Sequence, residues 1–226
     1  TLGSFEVRLG CMLRVYKERP LEGEVAAIAR AGYRYSAYLP PIYYGEEAGD
    51  AELRALRRTV EAAGIRAVTA WAGNPLKTGA KGLVRSIEQA QVLGLEWLIV
   101  SSPYEGDPDA PHGRDDVLRR FVDVMEAVLP VAEGAGVRLD VKPHGGPFGD
   151  GPGLAELARR LNHPCFGVSY DPGNIRSYAG LRPEADLPAV ARHVRSLCIK
   201  DLLPVADGRN AFPPPGKGEV DWPVIL

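Results

Sequence analysis

The chain has 226 residues, of which 45% are hydrophobic and 25% charged, and its formal net charge is −2. This length suits one barrel-class domain or two small ones, and the near-neutral charge argues against a nucleic-acid binder, which carries a basic excess. No apolar run approaches the ~20 residues of a membrane span, and "TLGSFEVRLG" lacks a basic stretch followed by an apolar core. Neither a membrane anchor nor a signal peptide is therefore expected, and the expected location is cytoplasmic. Cys11, Cys165 and Cys198 are far apart and lack C-x-x-C spacing, which reads as reduced thiols rather than a disulfide frame or zinc knuckle.

In chain order, "VRLGCML" (7–13) supplies the first strand. "EVAAIARAG" then places Val25, Ile28 and Ala29 on one helical face, and "AGYRYSAY" (31–38) follows. "ELRALRRTVEAAG" does the same with Leu53, Leu56 and Val60 before "AGIRAVTA" (63–70). "LGLEWLIV" (93–100) and "AGVRLDVK" (135–142) repeat the pattern. In each case a Gly stops the helix and an apolar-rich run begins a buried strand. "CFGVSYD" (165–171) and "SLCIKD" (196–201) lack the Gly but keep the spacing.

Seven strands about one βα unit apart predict a parallel sheet. No G-x-G-x-x-G follows the first strand, so nothing supports a dinucleotide fold. The even spacing predicts a (β/α)8 TIM barrel as one domain over 1–226, with the eighth strand missing, since such a barrel takes about 250 residues. "VDWPVIL" reads as the opening of a last helix. Strands 1 and 7 are expected to keep open edges, closed by further residues or a partner.

Barrel chemistry sits at the C-terminal strand ends. There the sequence puts Lys142 and His144 after strand 5, Asp171 and Asn174 after strand 6, and Lys200 and Asp201 after strand 7. Trp71 ends strand 3, Ser101 and Ser102 end strand 4, and strand 2 runs into Tyr38, Tyr43 and Tyr44. Aromatic rings beside acids, amides and amines suit a polyhydroxylated ligand, because sugar C–H faces pack on rings while hydroxyls take hydrogen bonds. Each residue also has a plainer reading: Asp171 as a turn cap, the Lys200–Asp201 doublet as a solvated pair, Trp71 as packing. Three successive strands delivering ionisable groups to one end favour function. The catalytic candidates are Lys142, Asp171, His144 and Lys200; Trp71, Asn174, Asp201 and Tyr38 are the substrate-binding candidates. His112, His163 and His193 read as structural or exposed. The loop 107–116 reads as a lid or a solvated loop, and 147–153 as a loop above the active face.

"VKPHGG", "SYDPGNI", "RSLCIKD" and "GKGEVDW" resemble landmarks of the xylose isomerase-like TIM-barrel superfamily, which includes sugar isomerases and epimerases, dehydratases and endonuclease IV. The resemblance implies a divalent cation (Mn, Mg or Zn) held by Glu, Asp, His and Glu on strands 5 to 8. Carried onto this chain, only Asp171 keeps its identity as a metal ligand. Lys142 takes the first Glu position, Cys198 the His position, and the last Glu would lie beyond Leu226. A His common three residues after the Asp is Asn174. One carboxylate beside an ammonium is a poor cation site, so a Lys142–Asp171 contact, direct or through a water, is expected in the cation's place. Cys198 is expected to behave as a small buried hydrophobe.

The resemblance and these residues imply a carbohydrate isomerase or epimerase working by proton transfer. The alternatives are a carbohydrate lyase or dehydratase, either metal-dependent or using Lys142 or Lys200 as a Schiff base, and an inactive sugar-binding relative. The expected partners are a small carbohydrate and a second copy in a homodimer, with no nucleic acid and no membrane.

Overall fold

The computed structural model describes residues 7–14, 19–104, 113–205 and 210–226. The elements run β1 (Gly10–Met12), α1 (Leu21–Arg30), β2 (Tyr35–Tyr38), α2 (Asp50–Ala62), β3 (Arg66–Gly73), α3 (Pro75–Leu93), β4 (Trp97–Ser101), α4 (Arg114–Ala135), β5 (Arg138–Lys142), α5 (Gly151–Leu161) and β6 (Phe166–Tyr170). A short turn α6 (Pro172–Asn174), a π turn (Ile175–Ala179) and α7 (Pro183–Asp186) lead to β7 (Val194–Leu197). A hairpin of β8 (Leu203–Pro204) and β9 (Asn210–Ala211) and a last turn α8 (Trp222–Ile225) complete the order.

The seven strands β1 to β7 form one parallel sheet in sequential order. This is the TIM-barrel arrangement without an eighth parallel strand among the described residues, so the sheet is an open, curled half-barrel. The Gly stops work as expected at Gly94 and Gly136, whose φ of 72° and 68° place them in the left-handed region that ends α3 and α4. "VRLGCML" contributes only Gly10–Met12, and "SLCIKD" pairs no further than Leu197, so Lys200 lies beyond the ladder rather than on it. Asp171 and Pro172 follow β6, and the connection to β7 is made of short turns rather than one long helix.

Period-two alternation sorts the side chains. On β5, Leu139 and Val141 join the core beneath the helices, while Arg138, Asp140 and Lys142 occupy the other face. On β6, Phe166, Val168 and Tyr170 join that core, leaving Ser169 and Asp171 on the interior face. Phe121 of α4 meets Phe166 edge-on at 6.3 Å, tying a helix to the sheet. The inner face is polar even at depth. Asp140, with no exposed surface, lies 3.7 Å from Arg138 and accepts from Ser196 Oγ at 3.4 Å.

His163 and His193 precede β6 and β7, at the rim opposite Lys142, as expected. His163 Nδ1 accepts from the Cys165 amide at 3.2 Å, and His193 Nε2 accepts from Arg192 at 3.0 Å. His112 and most of the 107–116 loop lie outside the described residues. Among those described, no helix is long and apolar enough to cross a membrane.

Candidate active site

Asp171 organises the C-terminal rim. It follows β6, is fully buried, and divides its two carboxylate oxygens between two tasks. Oδ1 accepts from the Asn174 amide at 2.9 Å, which caps the short turn α6. Oδ2 meets Lys142 Nζ at 2.7 Å and Lys200 Nζ at 3.3 Å. Oδ1 thus makes the expected turn cap, while Oδ2 is turned to the two amines. The expected Lys142–Asp171 contact is direct.

Asn174 locks this group together. Its Nδ2 donates to Pro143 O at 2.6 Å, joining the β5 and β6 exits, and its Oδ1 accepts from Lys200 Nζ. Gly173 leaves room for the lysine: a Cβ there would sit 2.8 Å from Lys200 O and 2.9 Å from Lys200 Cε. Phe212, just after the β8–β9 hairpin, covers Lys200 Nζ at 5.0 Å from its ring centroid.

The two amines differ. Burial opposes the charge on Lys142, but the Asp171 carboxylate at 2.7 Å outweighs it, so its pKa is raised above the usual lysine value. Burial pushes Lys200 below that value, with Asp171 opposing and Lys142 adding to the shift. Cys198 reaches Ser169 Oγ at 4.0 Å on the interior face, and burial pushes its thiol up, as befits a small hydrophobe rather than a thiolate.

His144 stands opposite the amines in an aromatic setting. Its ring lies 5.5 Å from Trp71, 5.7 Å from Tyr104 in a stacked pose, and 5.0 Å from Tyr178. Its backbone is pinned by Ser102 Oγ, which accepts from His144 N and donates to Gly145 O, both at 2.9 Å. Gly146 then turns at φ 75°, where a Cβ would lie 2.5 Å from Pro103 O, so the loop needs glycine to pass this close. Burial, aided by Lys142 and Lys200, pulls the His144 pKa below its ordinary value and keeps the imidazole neutral. Trp71 also faces Lys142 Nζ, 5.9 Å from its ring centroid.

The rim therefore gathers Lys142, Asp171, His144, Lys200, Trp71 and Asn174. It does not gather two other candidates. Tyr38 is fully buried on the helix side, with Tyr44 edge-on at 5.9 Å and Tyr43 at 6.4 Å, and this corrects the expectation that it binds substrate. Its alternation along β2 sends it away from the interior. Asp201 is also fully buried, and its carboxylate accepts from the amides of Leu202, Gly216, Gly218 and Val220 and from Trp222 Nε1, at 2.9 to 3.1 Å. That set corrects its assignment too: Asp201 holds the 216–222 segment in place.

Sequence reasoning missed Tyr104, Tyr178 and Phe212. Tyr178 had a usable signal, four residues after Asn174 in a segment adjoining "SYDPGNI". Tyr104 is set by Asn74, whose Nδ2 donates to its carbonyl at 2.6 Å across 30 positions, which no local pattern reveals.

Against this geometry the donors for the implied cation do not fit. Among the described residues two amines, not further carboxylates or imidazoles, meet the Asp171 carboxylate, and an ammonium repels a cation from the same oxygen. No group of three or more His, Cys, Asp or Glu that could hold a metal occurs among the described residues.

The model of the xylose isomerase-like TIM barrel matches residues 25–226. The chain belongs to this family. No curated protein matches it significantly in sequence. Solved structures of family shape are similar across nearly the whole chain. A xylose isomerase domain protein from Planctomyces limnophilus is 20% identical with a TM-score of 0.71, covering 96% of this chain and 83% of that one. A 3-keto-D-glucoside 4-epimerase from E. coli is 12% identical with a TM-score of 0.76, covering 97% and 86%. A mannonate dehydratase from Streptococcus suis is 13% identical with a TM-score of 0.76, covering 98% and 80%. At these identities the likeness is one of fold.

Proposed function

We propose that this xylose isomerase-like protein is a sugar isomerase or epimerase that moves a proton through an enediolate, with the Lys142 ammonium acting where relatives would use a cation. The observation that carries the reading is the 2.7 Å Lys142–Asp171 pair at the rim position expected for metal ligands. The chemistry needs a base beside a carbon acid and positive charge beside the developing oxyanion. Neutral His144 has one ring nitrogen free of a proton and takes the hydrogen next to the substrate carbonyl. The C–H electron pair moves into a C–C double bond, and the carbonyl oxygen gains charge next to Lys142. A proton delivered from solvent to the opposite face gives the epimer; return of the His144 proton to the former carbonyl carbon, with the hydroxyl proton of the deprotonated carbon passing to the former carbonyl oxygen, gives the isomer. Asp171 keeps Lys142 charged and oriented, and Trp71, Tyr104 and Tyr178 offer faces for sugar C–H groups. The fold likeness to proteins named as epimerases supports the class by analogy.

The test is deuterium incorporation from D2O next to the carbonyl in a panel of ketoses and aldoses, followed by NMR in the presence of EDTA. Exchange that persists in EDTA and is lost in Lys142→Met supports the reading. Exchange that requires added divalent metal overturns it.

A further inference from the structure

Among the described residues, the cleft carries more positive charge than its own acid balances. The groups facing it are Lys142 and Lys200 against Asp171, with His144 neutral and the Cys198 thiol protonated. Arg176 at the rim is paired with Glu219, and Lys77 lies over Tyr104 at 5.4 Å on the far wall. Asp201 supplies nothing, because its oxygens are enclosed by amides and an indole N–H. Lys142 and Lys200 share one acid, so among the described residues of this group one cationic charge is left over, and it falls on Lys200. Lys142 takes the short contact with Asp171 and its side chain is 15% exposed, whereas Lys200 takes the long one and is 31% exposed. Lys200 is nevertheless not a free surface amine. Asn174 Oδ1, Gly173 and Phe212 fix its position. A second feature beside the pair also lacks a partner: Ser101, paired in register with Lys142, is fully buried, and its hydroxyl makes no hydrogen bond among the described residues.

We propose that the ligand of this cleft is an anionic carbohydrate, whose carboxylate or phosphate group pairs with Lys200 while its carbonyl end lies at Lys142. The part concerning Lys142 rests on the proposed function; the part concerning Lys200 rests on charge and geometry alone. An oriented ammonium in a partly desolvated cleft forms a strong charge-assisted hydrogen bond to an anion, and a neutral hydroxyl cannot match it. Because burial disfavours the charge on Lys200, an arriving anion also draws a proton onto it.

The experiment is calorimetric titration of the full chain at low ionic strength with D-fructose, D-fructose 6-phosphate, D-glucuronate and inorganic phosphate. At least one of the two anionic sugars is expected to bind ten or more times more tightly than D-fructose, and the stronger one identifies phosphate or carboxylate as the group. The advantage should shrink with added salt, and at pH 9 the heat should depend on the buffer, reporting proton uptake. Lys200→Gln, checked for an unchanged melting temperature, should lose the advantage, and Lys200→Arg should keep it within a few fold. Equal binding of neutral and anionic sugars overturns the proposal. So does an anion preference that survives in Lys200→Gln, or inorganic phosphate binding as tightly as either anionic sugar, which marks an adventitious ion only. Solvent exchange separates this from the proposed function. Exchange on neutral sugars with no anion preference leaves the isomerase reading standing and removes this one. Lys200-dependent anion binding without exchange on any sugar does the reverse.

Discussion

Asp171 and Asp201 are both fully buried carboxylates that follow neighbouring strands of one sheet, yet they are satisfied in opposite ways. Asp201 is enclosed by four amides and an indole N–H. Its donors are neutral and fixed, one from the adjacent Leu202 and four from the 216–222 segment, so it works as an internal strut. Asp171 gives one oxygen to a cap and turns the other to two side-chain amines, which carry one charge more than it balances. The difference lies in the donors rather than in burial: backbone donors close a site, and side-chain ammonium groups leave it open to a ligand.

The largest expected effects break the comparison directly. Asp171→Asn should lower solvent exchange by about 10²–10³-fold, as expected for loss of charge organisation at a developing oxyanion, with little change in melting temperature. Asp201→Ala should leave exchange within a few fold but cost about 1–3 kcal/mol or more in urea unfolding, because buried donors lose their acceptor. If the two variants behave alike in both assays, the distinction between strut and active acid is wrong.

Next in size is the exchange of charge at Lys142. Lys142→Glu should abolish metal-free exchange and gain affinity for Mn²⁺, since two carboxylates would then face each other where one is now matched by an ammonium. Titration calorimetry with Mn²⁺ reads this directly, and unchanged metal affinity would count against the lysine standing in the cation's place.

Gly173→Ala probes the approach of Lys200. The added Cβ would sit 2.8 Å from Lys200 O, so the lysine must shift. Displacements of this scale cost roughly 10- to 10²-fold in rate when geometry matters. The loss should appear in the exchange rate with thermal stability nearly retained.

The pH dependence of stability sharpens the contrast. Burial alone would raise the Asp201 pKa, but the Val220 amide and the other donors outweigh it and hold the carboxyl below its ordinary value. A depressed folded-state pKa means that the stabilisation is present above the unfolded value of 3.8 and is lost as pH falls through the folded one. Urea unfolding at pH 3 to 6 should therefore show an acid limb that flattens in Asp201→Asn.

The strands were legible in the sequence because Gly-stopped helices and alternating apolar runs are local signals, and the rim acids and amines followed from counting to the strand ends. Lys142, Asp171 and Asn174 could be placed together for that reason. Tyr38 and Asp201 were misassigned for physical reasons. A one-residue change of face sends Tyr38 to the helices, and the five donors on Asp201 come in part from 15 to 21 residues downstream. The aromatic wall was only half legible, since Tyr104 depends on a contact with Asn74 that no spacing encodes.

The smallest expected effect concerns Phe212, the exposed ring over Lys200 at 5.0 Å. A ring face stabilises a nearby ammonium by about 0.5–1 kcal/mol at an exposed site, equivalent to roughly two- to fivefold in binding. Phe212→Leu keeps much of the apolar cover but removes the ring quadrupole. It should therefore weaken anionic-sugar binding by that factor and leave neutral-sugar binding unchanged. Phe212→Tyr keeps the ring and should restore the wild-type value. The control lies within the same pair of variants. If the ring only shields Lys200 from water, leucine and tyrosine will bind alike; if its electrons help hold the charge, only tyrosine will match the parent. Parallel losses for anionic and neutral sugars in Phe212→Leu would instead make Phe212 a packing residue of the hairpin and remove it from the charge balance around Asp171.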